Sequence, residues 1–247
     1  MPHATFRFYQ ELNDFLPPSQ RQVAFEHEWR DTPSIKHLIE SLGVPHTEVD
    51  LILVNDHSVE WDYRPQESDR IAVYPVFESM DVTPLIRLRP QPLREVRFVL
   101  DGHLGRLAAY LRMLGFDTWY QNHVDDAVLA EISKEERRIL LTRDQGLLKR
   151  SAVTHGYWMR ATVPGKQLRE VIQRFDLQRL AQPFTRCLSC NGLLRTTPFD
   201  EVKDQLSENA ARFYHEFWRC TACGKVYWPG SHYQRMTRLI EESYQTG

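Results

Sequence analysis

Cysteine is scarce in this chain: four residues among 247, all in the last quarter. So few cannot supply a disulfide framework for the whole protein. No apolar run approaches the roughly 18–20 residues that a membrane-spanning helix needs, so no membrane role is expected. The opening Met1-Pro2-His3-Ala4-Thr5-Phe6 lacks the long apolar core of an export signal. A cytoplasmic location, where thiols stay reduced, is the expectation. There is no internal repeat and no low-complexity tract, which removes solenoid and fibrous classes. The net charge is only −2, too small to argue for a polyanion partner. What remains is an ordinary globular composition, 42% hydrophobic and 26% charged, long enough for about two domains.

The small net charge hides an asymmetry. Residues 1–80 contain 6 Lys/Arg and 14 Asp/Glu; residues 81–247 contain 25 and 19. The second segment could approach a nucleic acid, and the first would be repelled by it. The four cysteines lie in the positive segment as two pairs, Cys187-Leu188-Ser189-Cys190 and Cys220-Thr221-Ala222-Cys223. Each C-x-x-C lets two thiolates converge on one ion, so the two pairs read as one tetrahedral zinc site. Two disulfides or four buried thiols would be the alternatives. Four thiolates fill the coordination sphere, so the zinc would be structural. The 29 residues between Cys190 and Cys220 leave room for an inserted helix. Asn191-Gly192 and Gly224 follow the pairs, as tight knuckle turns require.

Prolines at 84, 90 and 92 keep residues 81–94 out of a helix or central strand, so this stretch reads as an extended linker. Before it, strands are expected at Thr5–Tyr9, Arg21–Glu26, Leu51–Asn55 and Asp69–Pro75. A helix over Ile35, Leu38, Ile39 and Leu42 is stopped by Gly43. The order β-β-α-β-β over residues 1–80 resembles the ubiquitin-like β-grasp fold, particularly small sulfur-carrier proteins. Those carriers end in a free Gly-Gly, whereas this chain runs on through Val76-Phe77-Glu78-Ser79-Met80. Carrier chemistry is therefore disfavoured, and the segment reads as a docking or stabilising module with a possible protein partner.

After the linker, apolar strands at 95–101 and 138–144 each end on an acid, Asp101 and Asp144. Between them Leu104, Leu107, Ala108, Leu111 and Leu114 mark one face of a helix ended by Gly115. A strand at Phe116–Tyr120 and a helix opened by Asp125 or Asp126 follow. Strands alternating with helices predict an α/β, three-layer domain with a parallel sheet. In such sheets ligands bind beyond the carboxyl ends of the strands. Three carboxylates gathered there need a cation, and oxygen-only ligands favour magnesium or manganese. Such ions suit phosphodiester hydrolysis. The plain alternative for each acid is a turn or helix-cap residue. Arg106, Arg143 and Lys149 flank the acids and could hold a phosphate, or be solvated. Asp117, His103 and His123 read as surface or structural residues.

Three blocks then carry a resemblance: Phe98-Val99-Leu100-Asp101 with Leu104-Gly105-Arg106-Leu107-Ala108 and Leu111–Thr118; Ile139-Leu140-Leu141-Thr142-Arg143-Asp144-Gln145-Gly146-Leu147-Leu148; and Cys220 through His232. They resemble the Mut-seven C-terminal RNase family, a branch of the PIN-type nucleases, whose bacterial members often carry a ubiquitin-like domain in front. The resemblance implies a metal-dependent ribonuclease, with Asp101, Asp125 and Asp144 as metal-binding acids and RNA as partner. The implied domains are a β-grasp module at 1–80, the linker at 81–94, a PIN-like domain at 95–182 and a zinc ribbon at 183–247. Arg195, Arg219, Lys225, Tyr227, Trp228 and His232 of the ribbon offer charge and stacking faces for single-stranded nucleic acid. For Tyr227 and Trp228 the ribbon's own small core is the competing use. A nucleic-acid-binding adaptor without catalysis is the rival function.

Overall fold

The computed structural model describes residues 1–75, 88 and 95–244, without the side chains of residues 232, 243 and 244. The expected linker at 81–94 lies outside the described residues except for Leu88. In chain order the elements are β1 (His3–Phe8), β2 (Phe25–Glu28), α1 (Ile35–Ser41), β3 (Val49–Val54), β4 (His57–Ser58), β5 (Arg70–Pro75) and β6 (Arg97–Leu100). They continue with α2 (Gly105–Met113), β7 (Asp117–Tyr120), α3 (Asp126–Glu135), β8 (Ile139–Thr142), α4 (Gln145–Leu148), β9 (Gly156–Trp158) and α5 (Pro164–Arg174). The last are β10 (Leu194–Thr196), α6 (Glu208–Phe213), β11 (Trp218–Cys220), β12 (Val226–Tyr227) and α7 (Ser231–Tyr244). The chain divides into two compact units, Met1–Arg94 with Asp126–Trp158, and Glu95–Asp125 with Met159–Gly247.

In the first unit, five strands form one sheet in the order β2-β1-β5-β3-β4. β1 pairs parallel with β5 and antiparallel with β2, and β3 runs antiparallel to β5. Alternation along β1 buries Ala4, Phe6 and Phe8, which meet Ile35, Leu38 and Ile39 of α1 in one apolar cluster with Ile52 and Val73. Ser34 caps α1 by accepting the His37 amide. The hairpin partner expected at 21–26 begins later, at Phe25. Asn13 causes this: its side chain donates to Phe8 O and Gln10 O and accepts the Gln22 amide at 2.6 Å. That arrangement holds the intervening chain in 3₁₀ turns until Gln22, with φ of +58°.

The same unit contains the parallel pair β8 and β9, with Leu141 opposite Tyr157. Leu140, Leu141, Leu147, Leu148 and Val153 are buried. Residues 1–75 pack against this segment. Trp158 N donates to Glu48 Oε1 at 2.7 Å, and Lys149 Nζ to Glu40 O at 2.9 Å. His46 joins Glu40 Oε1 and the Val153 carbonyl, and the Phe15 ring lies 4.9 Å from that of Trp158.

In the second unit β6 and β7 pair parallel, with Phe98 opposite Thr118. Leu107, Ala108 and Leu111 of α2 are fully buried, and Phe98 meets Phe116 and Phe175 edge to face. These features make the chain mixed α/β with parallel strand pairing. A three-stranded antiparallel ribbon, β10-β11-β12, follows. Between its cysteine pairs stands the helix α6, capped by Ser207. Among the described residues no helix is long and apolar enough to cross a membrane.

Candidate functional site

Cys187, Cys190, Cys220 and Cys223 come together with all four sulfurs within 4.8 Å of one another. Cys187 lies 3.7 Å from Cys223, and Cys190 lies 3.4 Å from Cys220. None is disulfide-bonded. Sulfurs around a tetrahedral zinc, with bonds of about 2.3 Å, stand about 3.8 Å apart. The cluster therefore has the donor set and spacing to hold zinc. Gly192 is needed here because a Cβ on it would lie 2.9 Å from both Cys220 Sγ and the Ala222 side chain. Asn191 turns the first knuckle at φ +69°.

The thiols differ in acidity. Burial pushes Cys187 up, but bonds from the Tyr227 hydroxyl and the Cys190 and Ser189 amides outweigh it and hold it at about 6. Burial pushes Cys190 up against the Gly192 amide, and its sulfur neighbours raise it further, to about 12. A crowded set of thiols cannot all ionise unaided, and a bound cation reverses that by favouring thiolate throughout.

Two residues beside the cluster were not legible as its neighbours. Arg112 is buried, and its guanidinium donates to the carbonyls of Thr118, Leu188 and Ser189 at 3.0–3.1 Å. Burial lowers its pKa, while Cys187 and Cys190 raise it. It places a positive charge against a knuckle that becomes negative on metal binding. A signal existed: Arg112 stands four residues after Ala108, on the apolar face of α2. Asp117, expected at the surface, instead accepts from Asn191 Nδ2 at 2.8 Å and faces Arg186 at 3.4 Å. It fastens β7 to the ribbon.

Asp101 and Asp144 lie just beyond strands, and Asp125 just before a helix. Asp101 follows β6 and accepts the His103 amide at 3.5 Å; Asp144 follows β8 and accepts the Gly146 amide at 2.7 Å. Asp144 N donates to Thr142 Oγ1. Asp125 is exposed and immediately precedes α3, whose first residue is Asp126. Asp101 and Asp125 belong to the second unit and Asp144 to the first. The loop after Asp101 is braced by Tyr120, whose hydroxyl donates to Gly102 O at 2.8 Å and also meets Asn122 Oδ1. Gly105 makes room for that ring, since a Cβ would lie 2.6 Å from the Tyr120 hydroxyl. Sequence patterns could not show this pairing, because residues 105 and 120 are brought together by the α2–β7 turn.

The flanking cations divide. Arg106 and Arg143 are exposed, and the Arg143 carbonyl accepts Trp158 Nε1. Lys149 is half-buried on the Glu40 carbonyl, a neighbour that its position in the chain did not reveal. In the ribbon, Arg195 pairs with Glu201 at 3.0 Å, and Arg219 is half-buried on β11. Tyr227 turns its hydroxyl to Cys187 Sγ at 3.1 Å.

The structure supplies a mixed α/β chain with acids following β6 and β8 and four cysteines that could hold zinc. The class itself comes from the family comparison, which points to a nuclease-like protein. The Mut7-C RNAse domain matches residues 96–240, and the Mut7-C ubiquitin domain matches residues 1–81. The chain belongs to the Mut7-C RNAse domain family and carries the ubiquitin-like domain in front. Neither the curated proteins nor the solved structures gave a match.

Proposed function

We propose that this chain is a divalent-metal-dependent ribonuclease of PIN type, cleaving RNA phosphodiester bonds in the cytoplasm. The observation that carries the reading is the RNAse-domain match over residues 96–240, within which Asp101 and Asp144 end parallel strands. The proposed domains are a β-grasp module at 1–80, a linker at 81–94, a nuclease domain at 95–182 and a ribbon at 183–247. Asp101, Asp125 and Asp144 are oxygen donors of the kind that hold magnesium or manganese. Such an ion, when bound, activates water and stabilises the leaving oxygen. The chain's own part is orientation: the Gly146 amide holds the Asp144 carboxylate at 2.7 Å, and Tyr120 steadies the loop after Asp101 through the Gly102 carbonyl. Arg106 and Arg143 are exposed and are assigned to substrate phosphates; Lys149, half-buried on the Glu40 carbonyl, is assigned the same role. The zinc ribbon assists in holding RNA, and the β-grasp module is available to a protein partner.

One observation favours a second reading, a nucleic-acid-binding adaptor. Both strand-end acids already act as ordinary helix caps. Cleavage of RNA by the pure protein with and without manganese separates the two. Asp101→Asn and Asp144→Asn are each expected to abolish cleavage while RNA binding stays equal or tightens, because negative charge that repels phosphate is removed. Undiminished cleavage by both variants would leave the adaptor reading standing.

A further inference from the structure

A cavity of about 460 Å³ opens in the second unit beside the cysteine cluster. This falls within the roughly 300–1,000 Å³ of small-ligand clefts. Its walls include the aromatic rings of Phe184, Trp218, Trp228 and Tyr233. All four are only half-buried. Phe184 stacks on Tyr233 with ring centres 4.1 Å apart at 29°, and Trp218 lies nearly parallel to Tyr233 at 6.1 Å and 4°.

Two further observations point to a ligand. Phe184 holds a φ of +62°, unusual for a bulky residue. Its amide donates to Met113 O at 2.9 Å, and the ring is thereby set against Tyr233. Backbone strain of this sort persists where neighbouring structure enforces it, and ligand clamps are such places. The second observation is charge. The lining contains Arg186 and Lys225 and no carboxylate among the described residues. Arg186 is occupied by Asp117. Lys225 donates to Ser189 Oγ at 2.9 Å and lies 5.9 Å from the centre of the Tyr227 ring. Lys225 is exposed at the cleft, so a flat ring bearing an anion could lie against the aromatic walls while its anion meets the ammonium.

We infer that this cleft holds one unstacked nucleobase of a single-stranded RNA, with the attached phosphate at Lys225. The inference rests on the nuclease reading for the source of the RNA, but the site itself lies on the ribbon side, away in sequence from the three acids. Stacking on protein aromatics and a basic contact to the backbone are the usual means of holding single-stranded nucleic acid.

The test uses the full chain with Asp144→Asn, so that RNA is not cut. A short single-stranded oligoadenylate and adenosine monophosphate are titrated while tryptophan fluorescence is followed. Both should quench it, adenosine without phosphate should bind more weakly, and inorganic phosphate alone should not quench. Phe184→Gly relieves the positive φ, so the fold should be kept while oligoadenylate affinity falls about tenfold. Lys225→Gln should weaken the oligonucleotide and flatten its salt dependence. Wild-type affinity in Phe184→Gly, or no response to either adenine ligand, overturns the cleft. If RNA is nevertheless cleaved by the parent protein, the nuclease reading survives that failure. Loss of quenching in the variants, with no cleavage by the parent, would keep the cleft and remove the nuclease.

Discussion

Gly105 and Tyr120 show how a single hydrogen atom at Cα can shape a candidate active site. A methyl group at position 105 would press on the Tyr120 hydroxyl and ring, at 2.6 and 2.8 Å. Tyr120 would then release the Gly102 carbonyl, directly after Asp101. Gly105→Ala should lower stability by about 1–3 kcal/mol, as overpacking does. It should reduce RNA cleavage by about a hundredfold if Asp101 moves by about an ångström. Tyr120→Phe removes only the bond and should cost about 1 kcal/mol. Denaturant titration alongside the cleavage assay checks both. His27 offers a pH test at the same scale. Burial on β2, edge-on to Phe6 at 5.9 Å, lowers its pKa from the ordinary 6.5. The folded state then binds its proton less readily than the unfolded state. This contribution is intact above about 6.5 and is lost as pH falls through the lowered folded value. His27→Gln should shrink the drop in unfolding midpoint between neutral and mildly acidic buffer.

Among elements, the ribbon depends most on something other than an apolar core. Its three strands have two or three residues each, too short to be stable without support. Zinc held by the four cysteines would supply that support. Purified protein should contain about one zinc per chain, and a strong chelator should unfold the ribbon, seen as a change in Trp218 and Trp228 fluorescence. Cys220→Ser should do the same without chelator. Protein without zinc and with two disulfides by mass would overturn this. Strand β2 and helix α2 illustrate the range of local legibility. The apolar positions of α2 repeat at helical spacing, and the helix forms where that spacing places it. The start of β2 depends on Asn13 bonding across nine residues to Gln22, which no periodicity encodes.

At the scale of the molecule, the ubiquitin-like segment is more than an appended module. Within the first unit Glu48 is fully buried and accepts the Trp158 amide, and Lys149 reaches the Glu40 carbonyl. Breaking a buried hydrogen bond so that a partner is left unsatisfied costs about 1–3 kcal/mol, so residues 1–75 stabilise the segment that carries Asp144. Limited proteolysis should cut first within 81–94, whose three prolines lack the amide hydrogens that a strand ladder uses. The fragments should remain associated through gel filtration, because the Glu48, Lys149 and Phe15 contacts outlast the cut. Separation into two folded pieces would show that those contacts are too weak to matter.

The sequence alone determined the features that rest on local periodicity and spacing. These are the four expected strands and one helix of residues 1–75, though not the short β4 at His57–Ser58, together with acids just beyond two strands, the paired cysteines with their Asn and Gly turns, and the family that these blocks resemble. Tertiary structure alone decided which distant groups meet. Arg112 supports the cysteine knuckle across 76 residues or more, Tyr120 braces the loop behind Asp101, Asp117 ties β7 to the ribbon, and Phe184 is turned onto Tyr233. The physical reason is the same in each case. Periodicity records which face of an element avoids water, but a hydrogen bond or a ring contact between elements depends on how those faces are brought together.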